Sequence, residues 1–304
     1  MEILDEEKAK SCLARIGYYR ISAYWYGFRQ SETRLDPLTG KSKLFIKDDF
    51  RLGTSFSTIL ELYIFDKKLR LLVLDALERI EIALRTDIAI LLGRHDPWAH
   101  RNSRLLHGKF ARRPMHGGTV ITKHQDWLDR LDRKFNDSKE DFAKHFKLKY
   151  AGEQPPIWIA VELWDFGTLS HFFAGMTDPD KNAIASRYSS PPGHIFETWL
   201  RCLNDIRNLC AHHSRLWNRP LVNQPSWPTI GAMPRLNHLS GHAHGRSRLY
   251  AALLLMREIL ATMHPSSSWP SRLKDLVNSL PQNTVLTLDS AGFPPGWEAE
   301  VAWL

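Results

Sequence analysis

From about Ser55 to Leu92 the chain carries one uninterrupted helical signal, and it constrains everything around it. Apolar residues recur at Leu62, Phe65, Leu69, Leu72, Val73, Ala76, Leu77, Ile80, Ala83, Leu84, Ile88 and Leu91. The steps are threes and fours, the period of an α-helix. Acid-then-base pairs four residues apart, Asp66 with Arg70, Asp75 with Arg79 and Glu81 with Arg85, take the opposite face in the favourable order. Thr58-Ile59-Leu60-Glu61 reads as a capping box, with a start one turn earlier as the alternative. Gly93 marks the end. At ~1.5 Å per residue such a helix spans on the order of 50 Å. Its apolar stripe is wide, which predicts burial in a bundle rather than a narrow coiled-coil seam.

Shorter helical patterns flank it. Residues 6 to 29 read as a helical hairpin. Residues 125 to 149, Ile157 to Trp164 behind Pro155-Pro156, residues 178 to 189, His194 to His213, Arg246 to His264 and Ser266 to Leu280 follow. Residues 30 to 54 read as a loop around the turn signal Asp36-Pro37-Leu38-Thr39-Gly40, with at most one short strand at Leu44-Phe45-Ile46. The stretch from Arg219-Pro220 to Gly245 is Pro-rich and irregular. No internal repeat interrupts this order, so the expected class is all-α in a single domain, with a core at about 55–264 and a C-terminal helix and tail at 266–304. No stretch of 18 residues is free of charge, which excludes a membrane-spanning helix. The opening Glu2, Asp5, Glu6, Glu7 resembles neither a signal nor a transit peptide. Of three cysteines, Cys202 and Cys210 lie two helical turns apart, too far for a disulfide. A reducing, cytoplasmic setting is the expectation.

The formal net charge of +8 favours an anionic partner. The excess is concentrated: residues 97 to 125 contain no acid. They do contain Arg101, Arg104, Arg112 and Arg113, which are candidate RNA contacts, although a solvated loop without a partner fits the same composition. The histidines of this stretch match no metal-ligand spacing, so neither metal nor cofactor is expected. The block Gly17-Tyr18-Tyr19-Arg20-Ile21-Ser22-Ala23-Tyr24-Trp25-Tyr26-Gly27-Phe28-Arg29 has two readings. It is either a base-stacking platform beside arginine or a hairpin whose rings fill the core.

The chemistry concentrates in Arg207-Asn208-Leu209-Cys210-Ala211-His212-His213-Ser214-Arg215-Leu216-Trp217-Asn218-Arg219. On a helix Asn208 and His212 share a face, Arg207 is expected to reach round to the same side, and Arg215 follows His212 by three. Imidazole takes or gives a proton near neutral pH. Guanidinium matches phosphate oxygens and stabilises transition-state charge. The set suits phosphodiester cleavage in which RNA supplies its own 2′-hydroxyl. It also suits a mutually satisfied polar cluster at a dimer interface. Glu162, flanked by apolar neighbours, reads either as a buried carboxylate paired with a cation of this stretch or as an exposed residue of its helix.

This stretch resembles the signature of the Abi-like abortive-infection proteins (AbiD/AbiF type), which are similar to the HEPN superfamily. Three further blocks carry the resemblance: Ile16 to Trp25, Leu62 to Thr86, and Pro156-Ile157-Trp158 through Ser170. The tail Gly292-Phe293-Pro294-Pro295-Gly296-Trp297 also resembles the family. The resemblance implies a HEPN-like helical bundle with additional helices and irregular loops. It implies a homodimer with a composite active site and metal-independent RNA cleavage in phage defence or as a toxin, with a neutralising antitoxin or regulatory RNA as a further partner. By position it implies that Arg207 and His212 form the catalytic pair, with Asn208 as the polar residue between them. His213 offers a second Arg-to-His spacing. A non-catalytic RNA-binding or RNA-sensing protein of the same fold is the alternative.

Overall fold

A computed structural model describes residues 1–114 and 120–304. His116 and the Gly117-Gly118 break of the basic stretch lie outside the described residues. Asp5 caps α1 (Glu6–Ile16) by accepting from the Lys8 N–H, and Gly17 at φ +92° turns the chain into α2 (Tyr18–Trp25). Strands β1 (Arg29–Leu35) and β2 (Ser42–Phe50) follow as an antiparallel hairpin. The turn falls at the expected residues: the Asp36 carboxylate accepts from the Leu38 and Thr39 N–H groups, and Gly40 takes φ +65°. The extended pairing on both sides of it departs from the expected loop. Both faces of the hairpin are mostly exposed, so no apolar alternation announces it.

The central helix, α3 (Phe56–Gly93), has 38 residues. It starts one turn before the capping-box reading, because the Ser55 hydroxyl accepts from the Thr58 N–H. Leu69, Val73, Ala76, Ile80, Leu84 and Ile88 are fully enclosed. Asp66 and Arg70, expected on the solvent face, are instead buried. Asp75–Arg79 and Glu81–Arg85 form their ion pairs at half-buried positions.

Down the chain lie α4 (Gly108–Ala111), α5 (Lys123–Asp137), α6 (Asp141–Lys149), α7 (Ile157–Ala160), α8 (Phe166–Gly175) and α9 (Asp178–Ala185). They are followed by α10 (Gly193–Ala211), α11 (Ala243–Arg246), α12 (Leu249–Met263) and α13 (Trp269–Asn278). Helices α2, α7, α10, α12 and α13 all pack against α3. The class is mostly α, with one two-stranded sheet among the described residues. A contiguous hydrophobic core runs from Ala9 to Trp303, and Phe135, Ala143 and Phe146 form a smaller one. Helix α12, which reads as amphipathic, is buried on nearly every side from Leu249 to Leu260. The tail closes over it: the Trp303 Nε1–H donates to the Tyr250 hydroxyl at 2.9 Å, beside the rings of Phe293 and Trp297. All three cysteines are free. Among the described residues no helix is long and apolar enough to cross a membrane.

The described part of the basic stretch is organised by specific contacts. His107 N–H donates to the Gly175 carbonyl, and Phe110 packs so tightly on Gly175 that a Cβ there would lie 2.2 Å from its ring. His100 is fully buried against Trp164. Burial, reinforced by the neighbouring Arg101, pushes its pKa down to about 3. An unfolded histidine binds a proton near 6.5. Between those values the unfolded chain therefore holds one proton more than the folded chain. Stability is complete above the unfolded value and falls with pH at ~1.4 kcal/mol per unit. From pH 7 to 5 the loss assigned to His100 is about 2 kcal/mol. Denaturant unfolding at both pH values should show that drop shrinking by about this amount in His100→Leu. An unchanged drop contradicts the assignment.

Candidate active site

Helix α10 buries Ile195, Trp199, Leu203, Ile206 and Cys210, the stripe read from sequence. Its end is a Schellman turn. The Ser214 N–H donates to the Leu209 carbonyl at 2.9 Å and the His213 N–H to the Cys210 carbonyl at 3.1 Å. His213 sits at φ +56°, where glycine is usual. A side chain in this left-handed region costs roughly 1–2 kcal/mol, so the surrounding bonds must hold it.

Two arginines supply such bonds. Arg20 Nη1 donates to the His213 carbonyl at 2.7 Å, and Arg215 Nη1 donates to the Ala23 carbonyl at 2.6 Å. Two arginines, one from each side, thus tie α2 to the loop after α10. Beyond them Leu216 and Trp217 turn into the core, where Trp217 meets Phe65 edge to face at 5.1 Å.

Asp66 anchors the same loop from below. Its carboxylate, fully buried, accepts from the Leu216 N–H at 3.2 Å, the Trp217 N–H at 2.7 Å and the Tyr24 hydroxyl at 2.7 Å, and pairs with Arg70. Arg70 also donates to Tyr24 at 2.9 Å. Burial pushes the Asp66 carboxyl up, while the Tyr24 hydroxyl, the guanidinium and both N–H groups favour its charged form. Burial and the adjacent carboxylate push the Tyr24 hydroxyl up, so it stays protonated and donates.

Above this anchor lies an open cleft of about 630 Å³. Tyr19, Arg20 and Tyr26 wall one side, and His212, His213, Arg215 and Arg219 the other. No carboxylate lines it. Both imidazoles are exposed. Burial, opposed by Asp66 and Tyr24 and reinforced by Arg219, pushes the Arg215 pKa down.

Of the residues singled out from sequence, the structure brings His212, His213 and Arg215 together in this cleft. Arg207 and Asn208 do not line it. Five residues along a helix turn the side chain by about 140°, and His212 already stands at the end of α10. Arg207 is half-buried near Asn208 and lies close enough to Glu81 of α3 to favour that carboxylate's charged form. Glu162 is exposed on the 3-10 turn Val161–Leu163. It forms no ion pair with the motif, because α7 gives way to that tighter turn and carries the side chain outward. Arg101 is bound bidentately to Asp132, and Arg112 donates to the Ser103 and Leu106 carbonyls. Arg104 and Arg113 are exposed. None of these four reaches the cleft. Among the described residues no three His, Cys, Asp or Glu side chains converge as metal ligands.

Sequence reasoning passed over Arg219 and Asp66. Arg219 stood in the motif without an assigned role. Asp66 looked like one half of an ordinary surface pair, and only its distance in sequence from residues 216 and 217 concealed the contact.

Fold and cleft together define a mostly α-helical protein built on one long central helix, with a cationic, imidazole-bearing cleft at the end of α10. The chain belongs to the Abi-like protein family, whose model matches residues 11–218. Membership ties it to abortive infection, a form of phage defence. The matched span starts within α1 and ends one residue short of Arg219, so it includes both walls of the cleft except that arginine. The tail from Gly292 lies beyond it. No curated protein and no solved structure matches the chain.

Proposed function

We propose that this chain is a metal-independent endoribonuclease of HEPN type that acts in abortive infection, with its chemistry in the cleft at the end of α10. The observation that carries the reading is the pairing of two exposed imidazoles with Arg20, Arg215 and Arg219 around a carboxylate-free cleft. In the proposed reaction the RNA 2′-oxygen attacks the adjacent phosphorus as its proton passes to a base. The bond from phosphorus to the 5′-oxygen breaks, and that oxygen takes a proton from an acid. The products are a 2′,3′-cyclic phosphate and a 5′-hydroxyl. His212 supplies one of the two proton transfers. Arg215 and Arg219 offset charge on the phosphoryl oxygens.

Arg207 faces away from this cleft within one chain. We assign it, with Asn208, to a composite site in which a two-fold dimer combines the His212 of one copy with the Arg207 of the other. Mixing inactive His212→Ala and Arg207→Ala chains, after exchange of subunits, tests this. Half the dimers are then mixed and each holds one intact site, so RNA cleavage should recover to about a quarter of the wild-type rate. No recovery, with subunit exchange verified, would rule out the shared site.

A further inference from the structure

We propose that Tyr19 and Tyr26 form a base-stacking platform that admits single-stranded RNA to the His212 cleft. The proposal rests on the reading of the cleft as an RNA site and names the form of RNA it takes. The aromatic block divides cleanly. Tyr24, Trp25 and Phe28 are buried in the core, whereas Tyr19 is 87% exposed and Tyr26 55% exposed, and both line the cleft. A segment that only packed its rings would not leave two tyrosines in water at the rim of this cationic cleft.

The ring of Tyr19 has a fixed neighbour. Tyr18 meets it edge to face at 5.4 Å and in turn meets the buried Trp25 at 5.2 Å. Platform and imidazoles are also tied together, through the Arg20 bond to the His213 carbonyl and the Arg215 bond to the Ala23 carbonyl. An occupant therefore meets two π-faces, imidazole and guanidinium in one cleft. Arg219 makes no hydrogen bond or ion pair among the described residues and remains available to a phosphate. A flexible single strand can present an unstacked base to a tyrosine and its phosphate to an arginine together. A duplex hides its base faces.

The test is binding in the His212→Ala background, where RNA is held but not cut. The probe is a fluorescent eight-nucleotide RNA without secondary structure. A ribose-phosphate oligomer of the same length lacking bases and a perfect RNA duplex serve as comparisons. Adding Tyr19→Ala or Tyr26→Ala should weaken binding of the single strand on the order of 10-fold. Phenylalanine at either position should preserve it, since the π-face remains. The abasic oligomer should bind weakly and with no response to the tyrosines. Equal affinities for tyrosine and alanine chains, equal affinity for the duplex, or no binding of the single strand at all would each overturn the platform. Both side chains are exposed, and unchanged thermal unfolding confirms intact variants. Tyrosine-dependent binding without cleavage by the wild type would leave the platform standing and refute the nuclease. Cleavage with tyrosine-independent binding would do the reverse.

Discussion

Asp66→Ala is expected to destabilise the folded chain by about 3–5 kcal/mol, the cost of breaking a buried ion pair from one side. The substitution leaves the Arg70 guanidinium in a site 5% exposed without its counter-charge. It also strips the acceptor from the Tyr24 hydroxyl and from the Leu216 and Trp217 N–H groups. Buried donors without acceptors carry their full desolvation penalty. Asp66→Asn keeps the shape and one carbonyl oxygen, so its loss should be smaller, though the charge on Arg70 stays uncompensated. Denaturant unfolding with a linear extrapolation measures both. An Asp66→Ala chain within about 1 kcal/mol of the wild type would show that the anchor contributes little. Because the anchored segment begins three residues after His213, loosening it should also disorder both imidazoles. The proposed RNA cleavage should then fall in Asp66→Asn at temperatures where the variant is still fully folded.

The fold was legible where one face of a helix is buried. Apolar steps of three and four placed α3 and α10, because each buries a stripe against neighbours that run along it. The hairpin Arg29–Phe50 escaped, since a ribbon exposed on both faces leaves no alternation to read. Helix α12 looked amphipathic, but Phe293, Trp297 and Trp303 of the tail pack on its Tyr250 and cover the side that would otherwise face water. That contact joins residues about fifty positions apart, and no local pattern reveals it.

The site was legible in part for the same reason. His212, His213 and Arg215 are close in sequence and meet in one cleft. Arg207 lies equally close, yet helical rotation carries it toward Glu81. Arg20 and Tyr19 come from a segment nearly two hundred residues earlier, and tertiary packing alone brings them to the imidazoles. The aromatic block divides between core and surface: Tyr24, Trp25 and Phe28 are buried, as the packing reading expects, while Tyr18, Tyr19 and Tyr26 remain exposed. The arginines at 101 and 112 show the opposite case. Composition marked them as a phosphate surface, and it does not reveal that Arg101 pairs with Asp132 or that Arg112 donates to the Ser103 carbonyl.

In the proposed reaction the imidazole of His212 moves a proton during RNA cleavage. Positioned acids and bases contribute about 10²–10⁴-fold to such a step. His212 is exposed at the end of α10, so His212→Ala should keep the stability of the wild type and isolate the chemistry. The direct measurement compares single-turnover cleavage of an unstructured RNA by the wild-type and His212→Ala chains, with the ends of each product mapped. The expected result is a 2′,3′-cyclic phosphate and a 5′-hydroxyl from the wild type, and a rate at least about 100-fold lower from the variant. Cleavage by His212→Ala at the wild-type rate would contradict the claim.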